Sequence, residues 1–332
     1  MINLLKYITS QTQLPQNSVE NTVKLLNEDC TIPFISRYRK ELTGNLDEVQ
    51  IGEIVKFKEQ FEALEKRKTT ILKSLEEQGV LTAELQKKIE ETTDLIALED
   101  LYLPYKKKRK TKADTARENG LEPLAKIIMS QNASDISSIA LKYIKGEVNS
   151  EEEALEGARH IIAEWINERI DIRNMLRNQL ERFAVISTKV VKKFEEDEKA
   201  QKFRDYFDWN EALNKIPSHR LLAILRATSE GFIRIKIVID DEKAISKIEE
   251  RIVKSNDAAS KQIKLAIEDS YKRLLFPALS NEILTVAKEK ADETAINVFA
   301  KNLKWFVSMP KEICNITKPS FRIRQKAILQ LQ

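Results

Sequence analysis

From Glu48 to Gln78 the apolar residues advance by threes and fours: Ile54, Phe57, Phe61, Leu64, Ile71 and Leu75. A stripe of that period, sustained over this length, fits a single amphipathic helix and no strand. Lys68 is the one polar interruption of the seam, and Gly79 stands where a left-handed residue closes a helix. A helix of this length can act as a strut between packing units. The rest of the chain is equally short of turn residues, with 7 Gly and 8 Pro in 332 residues. That supply is too small for a many-turned all-β fold. At 42% apolar residues the chain is not globally disordered, and its length suggests about two domains. The expected fold class is mainly α: an elongated multi-helix scaffold with a helix-turn-helix-like unit and one short β-strand element.

Upstream of the long helix, Gln16–Asn27 carries Val19, Val23 and Leu26 on one stripe. Pro33 suits the first turn of a short helix with Phe34, Ile35 and Tyr38. Thr43-Gly44 breaks it, and Asp47 is placed to cap the long helix. This order of helix, turn, helix, break and helix is compatible with a helix-turn-helix unit, as it is with any small bundle. Thr82 is expected to cap a helix over 83–93, and Pro104 to end the one before it. The basic run Lys106–Lys112 reads as a loop. Ser150 with Glu153 fits a capping box for a helix carrying Ile161, Ile162, Trp165, Ile166 and Ile170. Met175, Leu176, Leu180 and Phe183 continue as a further stripe. Ser218 is placed to cap a helix that Gly231 ends. Phe232–Ile239 alternates as a strand whose partner the pattern does not reveal. A helix over 257–276 should break at Pro277, with two more from Ser280 to about Phe306.

The chemistry available is limited. Two cysteines, Cys30 and Cys314, exclude a disulfide scaffold. With His160 and His219 the only histidines, a His/Cys zinc site would have to gather distant single residues. Both histidines read as structural, as do Trp165 and Trp305; Trp209 falls at a helix end or loop. No phosphate-cradling glycine loop, nucleophile elbow or nucleophile–base pair is present. No apolar run approaches the ~18 residues of a membrane span. Expected, therefore, are no catalytic residues, no metal, no cofactor, no small-molecule substrate, no membrane contact and a cytoplasmic location.

The charge is uneven. The whole chain carries +4, but Leu101–Lys126 alone has eight basic residues against three acids, so the remainder is slightly acidic. A local excess points to a polyanion more than to general solubility. Two segments stand out. In the first, Arg37, Arg39 and Lys40 flank Tyr38, pairing phosphate-neutralising cations with a ring that can stack on an unpaired base. Equally weighted is a packing reading, with Phe34, Ile35 and Tyr38 inward and the cations paired with Glu41 and Asp47. In the second, Lys106, Lys107, Lys108, Arg109, Lys110 and Lys112 put six positive charges into seven residues. Such a run is either a solvated loop or a polyanion contact, and the balance favours the contact.

Four stretches carry a resemblance. IPFISRYRKELTGNLDEVQI (32–51), LEDLYLPYKKKRKTKADTARENGLEPLA (98–125), KFRDYFDWNEALNKIPSHRLLAILRA (202–227) and DSYKRLLFPALSNEI (269–283) closely resemble the bacterial Tex-type transcription accessory proteins, in order and across roughly residues 1–306. The resemblance implies an elongated helical scaffold with a helix-turn-helix unit and nucleic-acid binding linked to transcription. In full-length members a YqgF/RNase H-like domain, helix-hairpin-helix elements and a C-terminal RNA-binding OB-type domain follow. After Met309 this chain reads PKEICNITKPSFRIRQKAILQLQ where the family pattern would open the RNase H-like domain. The expected division is a Tex-type N-terminal helical region over 1–125, a central helical region over 126–306 and a divergent tail over 307–332. The tail suggests a truncated or frameshifted product.

The functional expectation is a non-catalytic, Tex-like transcription accessory module that contacts the backbone of RNA or DNA, single strands preferred, through the two basic segments. The alternatives are a protein-interaction scaffold on the transcription machinery, or a remnant that lacks the RNA-binding domain.

Overall fold

The computed structural model describes residues 3–106, 109–133 and 135–307, with side chains as far as 302. Lys107, Lys108, the tail beyond 307 and the Trp305 side chain lie outside the described set. The chain divides into two compact units, Met1–Arg109 and Lys110–Gln332.

In the first unit α1 (Leu4–Thr12) precedes α2 (Gln16–Asn27), followed by α3 (Ile32–Tyr38), the single turn α4 (Lys40–Thr43), α5 (Glu48–Glu77), α6 (Ala83–Glu91) and α7 (Leu95–Tyr102). The seam of α5 serves two cores. Ile51 and Ile54 join Ile8, Val19, Val23 and Ile35 in one; Leu64, Ile71 and Leu75 join Leu85, Ile89, Leu98 and Tyr102 in the other. Asp47 starts α5 with a capping box, its side chain accepting from Gln50 N while Gln50 Oε1 accepts from Asp47 N. The far end closes at Gly79, φ +69°. There Gly79 N donates to Glu76 O and Val80 N to Leu75 O, which satisfies two terminal carbonyls. Lys68, in the seam, is only 4% exposed. Its Nζ donates to Glu65 Oε1 (2.9 Å) and to Glu90 O (3.0 Å) near the end of α6. The polar interruption therefore pins α6 to the strut.

The second unit holds α8 (Lys112–Glu118), α9 (Glu122–Ser130), α10 (Ile136–Leu141), α11 (Glu151–Asn167), α12 (Ile170–Phe183), β1 (Val185–Val190), α13 (Glu198–Gln201), β2 (Asp208–Ala212), α14 (Ser218–Ser229), β3 (Ile233–Val238), α15 (Asp241–Ile252), α16 (Ala258–Asp269) and α17 (Phe276–Val307). Its core is built around α11, with Ala158, Ile161, Ile162 and Ile166 fully buried. The partner of the expected strand is β1, whose other edge pairs with β2: the sheet is antiparallel in the order β2-β1-β3. Val185 to Lys189 face Ala212 to Asp208 on one side, and Val185 to Val190 face Val238 to Ile233 on the other.

The structure corrects several expectations. Lys112 opens α8 behind the Thr111 cap instead of lying in a loop. Ile170 is the exposed first residue of α12, not the last of the preceding stripe, and Phe183 is exposed at its end. Ser150 caps Glu153 N, but the Glu153 carboxylate accepts from Asn149 N, one residue outside a true capping box. Ser218 is the first helical residue, and Pro217 holds the cap position without a side-chain bond. Trp209 belongs to β2, and His219 is exposed. Pro277 breaks nothing. The helix instead runs on from α16 through a π-helical segment over Ser270–Leu275 into α17, with Phe276 N donating to Tyr271 O five residues back, so the hydrogen-bond register widens just ahead of Pro277.

Candidate nucleic-acid interface

Pro33 sits in the first turn of α3, and Ile35 anchors the helix in the core at 0% exposure. Ser36 is buried beside it, its Oγ donating to Pro33 O. With that face turned inward, the opposite one projects: Tyr38 is 68% exposed and Phe34 37%. The chain then kinks for one residue at Arg39 (φ −129°, ψ 23°) before α4 resumes. Thr43 Oγ1 lies within reach of both Arg39 O and Lys40 O, and Gly44 closes the turn at φ +69°.

The kink gathers the sequence-predicted residues. The Phe34 and Tyr38 rings lie 5.4 Å apart. The Arg39 guanidinium lies 5.2 Å from the Phe34 ring centroid and donates to Tyr38 O at 3.2 Å. Arg37 approaches Glu48 only to 3.9 Å, with its side chain mostly in solvent. Lys40 makes no ion pair among the described residues. Arg37, Tyr38, Arg39 and Lys40 line one open depression of about 470 Å³ together with Glu41 and Leu42. The packing reading holds for Ile35 alone. Tyr38 is not inward, and the acid that meets Arg37 is Glu48 rather than Glu41 or Asp47. The sequence reading missed Phe34 as part of this platform, although its i,i+4 spacing to Tyr38 was the available signal.

The second segment follows a short 3₁₀ turn at Leu103–Tyr105. Lys106 and Arg109 are exposed. Lys110 is exposed but pairs with Glu118 at 2.6 Å, and that carboxylate holds its pKa above the usual lysine value. Lys112 is exposed at the first position of α8, where a cation opposes the helix dipole and a bound anion would relieve it. Other cations of the same window are neutralised: Arg117 meets Asp114 at 3.0 Å and Glu164 at 2.6 Å, and Lys126 meets Glu122 at 2.8 Å. Lys107 and Lys108 lie outside the described residues.

Among the described residues there is no group of three or more His, Cys, Asp or Glu able to hold a metal. No described helix is long and apolar enough to cross a membrane.

Residues 2–76 match the Tex-like protein N-terminal domain, and residues 131–299 match the Tex central region-like family. Among curated relatives, YdcI of Bacillus subtilis is 39% identical over 311 residues, covering 92% of this chain and 43% of the relative. The transcriptional accessory protein Tex of Neisseria gonorrhoeae is 38% identical over 309 residues, covering 91% of this chain and 41% of the relative. The human S1 RNA-binding domain-containing protein 1 is 28% identical over 317 residues, covering 91% of this chain and 32% of the relative. The chain thus spans about two-fifths of the length of the bacterial relatives it matches. Two consecutive family regions and these identities over nine-tenths of the chain place it in the Tex family.

Proposed function

We propose that this chain is a non-catalytic, helical nucleic-acid-binding module of the transcription accessory type, contacting the backbone of single-stranded RNA or DNA through its two basic segments. The observation that carries the reading is the platform on α3: an exposed Tyr38 ring, framed by Arg37, Arg39 and Lys40, on a helix anchored by the buried Ile35. Cations beside an exposed ring suit a strand whose bases are free to stack. Lys106, Arg109 and Lys112 add phosphate contacts, with Lys110 shared between Glu118 and any ligand. The names of two relatives support the same class, one a transcriptional accessory protein and the other an RNA-binding-domain protein.

The test is fluorescence anisotropy of single-stranded RNA, single-stranded DNA and duplex DNA against the whole chain, at low and near-physiological salt. Two variants run beside it: R37E/R39E/K40E and K106E/R109E/K110E/K112E. Binding to single strands should weaken with salt at about −0.7 in log–log slope per phosphate neutralised, and each variant should flatten the slope by roughly 2 to 3. Tyr38→Ala should cost about 1–3 kcal/mol if the ring stacks on a base. No binding at low salt would overturn the reading.

A second reading, a protein-docking scaffold, is favoured by one observation. The distal part of α17 exposes Ile296, Val298 and Phe299 with no described neighbour covering them. Its signature would be capture of a transcription-associated protein from nuclease-treated extract, lost in I296E/F299E.

A further inference from the structure

The three-stranded sheet turns one face to the core and the other to solvent, and its solvent face is cationic. Strand alternation sends Ile186 and Thr188 of β1, and Ile233 and Ile237 of β3, inward. Ser187 and Lys189 share the other face with their cross-strand partners Lys236 and Arg234. Just past β1, the 3₁₀ turn Lys192–Phe194 adds Lys192 and Lys193. Ser187, these four lysines and Arg234 line one open depression of about 640 Å³, whose remaining wall is Val190, Val191 and Ile235.

None of the five cations makes an ion pair among the described residues. Lys193 has only a ring contact, its Nζ 4.5 Å from the Phe194 centroid. The one carboxylate the register sets beside Lys189 is Asp208 on β2. Lys189 and Arg234 stand directly opposite each other, and like charges so placed destabilise a sheet. Solubility needs no such pairing, since the same charges spread over the helices would serve. Cross-strand neighbours lie about 5 Å apart and residues two along a strand about 6.6 Å apart. The three strand cations therefore stand at fixed register spacings, close to those of successive phosphodiesters, with Lys192 and Lys193 at one end. The Ser187 hydroxyl adds a donor, and no aromatic side chain lines the depression, so the face has means to hold a backbone and none to stack a base.

We propose that the outer face of this sheet is a separate, sequence-independent binding site for the phosphate backbone of a nucleic-acid strand. The inference rests on the reading of the chain as a nucleic-acid-binding module and adds a site distinct from the two basic segments.

The test uses the whole chain with labelled oligo-dT and oligo-U of equal length. The variant is K189E/R234E/K236E, and K142E/K247E/K261E, at exposed positions off the sheet, is the charge-matched control. Binding at near-physiological salt should fall more than tenfold in the sheet variant, and its salt slope should flatten by about 2. The control should stay within about threefold. K189Q/R234Q/K236Q serves if charge reversal disturbs folding; removing opposed like charges should keep or raise its melting temperature while still weakening binding. Equal loss in variant and control, or none in the sheet variant, overturns the proposal. Loss in the turn and loop variants with none in the sheet variants would leave the proposed function standing without this site. Loss in the sheet variant alone would place the contact here and remove it from the basic segments. No binding by the native chain at low salt would remove both.

Discussion

Two glycine-to-alanine changes on helices should move stability in opposite directions. Alanine is favoured over glycine in a helix interior by about 0.8–1.0 kcal/mol. At Gly52 on α5 an added Cβ meets nothing within 4 Å, so the gain should appear in full. At Gly157 on α11 the same Cβ would stand 2.3 Å from Leu121 Cδ1 and 3.3 Å from Ala116 Cβ. Leu121 is 1% exposed, and the space into which it would retreat is core. Overpacking of this kind costs about 1–3 kcal/mol. The net for Gly157→Ala is a loss of roughly 1 kcal/mol, or a fall in Tm of about 2–4 °C for a unit of this size. Tryptophan emission is a selective probe, because Trp165, Trp209 and Trp305 all belong to Lys110–Gln332. Gly52→Ala is followed by far-UV circular dichroism and should raise the transition of Met1–Arg109 by a few degrees. A rise in Tm for Gly157→Ala would refute the close-approach argument, since it would mean Leu121 yields without cost.

Three further outcomes follow from the local geometry. Lys68→Met keeps the bulk in the seam but leaves Glu90 O without its charged donor; it should cost about 2 kcal/mol and speed amide exchange across α6. Asp47→Ala removes the cap of α5 and should cost about 1 kcal/mol, seen as a lower denaturant midpoint at unchanged slope. Burial alone would raise the Asp269 pKa, but hydrogen bonds from Arg273 at 2.9 and 2.6 Å, with His160 beside it, hold it well below the usual carboxylate range. A depressed carboxylate contributes stability above its unfolded pKa near ~4 and loses it as pH falls toward the folded value. Tryptophan-monitored stability should therefore drop from about pH 5 downward, and Asp269→Asn should lower stability at pH 7 while flattening that decline.

The helical part of the fold was legible because its signals are local. The α5 seam, the Asp47 cap and the Gly79 stop each lie within a few residues of the structure they set. The strand β3 was legible through alternating isoleucines, but the rest of its sheet was not. β1 reads VISTKV and β2 reads DWNEA. β2 offers one aromatic among an acid, an amide and a glutamate, a composition that tertiary pairing overrides. At Pro277 the breaker rule failed for a definable reason: the π-helical segment immediately before it shifts the hydrogen-bond register of a continuing helix, and the proline follows that shift.

The same contrast between local and non-local information governs the charges. A contiguous basic run is conspicuous in sequence, yet the helices around it also supply acids at pairing distance. Glu118 takes Lys110, Asp114 and Glu164 take Arg117, and Glu122 takes Lys126. Formal charge in that window therefore overstates what remains to meet a ligand. On the sheet, five cations scattered between Lys189 and Lys236 attract no attention in a sliding count. Antiparallel pairing brings Lys189, Arg234 and Lys236 onto one face, where only Asp208 shares a register row, and the 3₁₀ turn after β1 adds Lys192 and Lys193 beside them. Strands that alternate in and out present no i,i+4 acid to quench them, as a helix does. The positive field on a fold of this kind is thus set less by how many lysines a segment holds than by whether its secondary structure places carboxylates beside them.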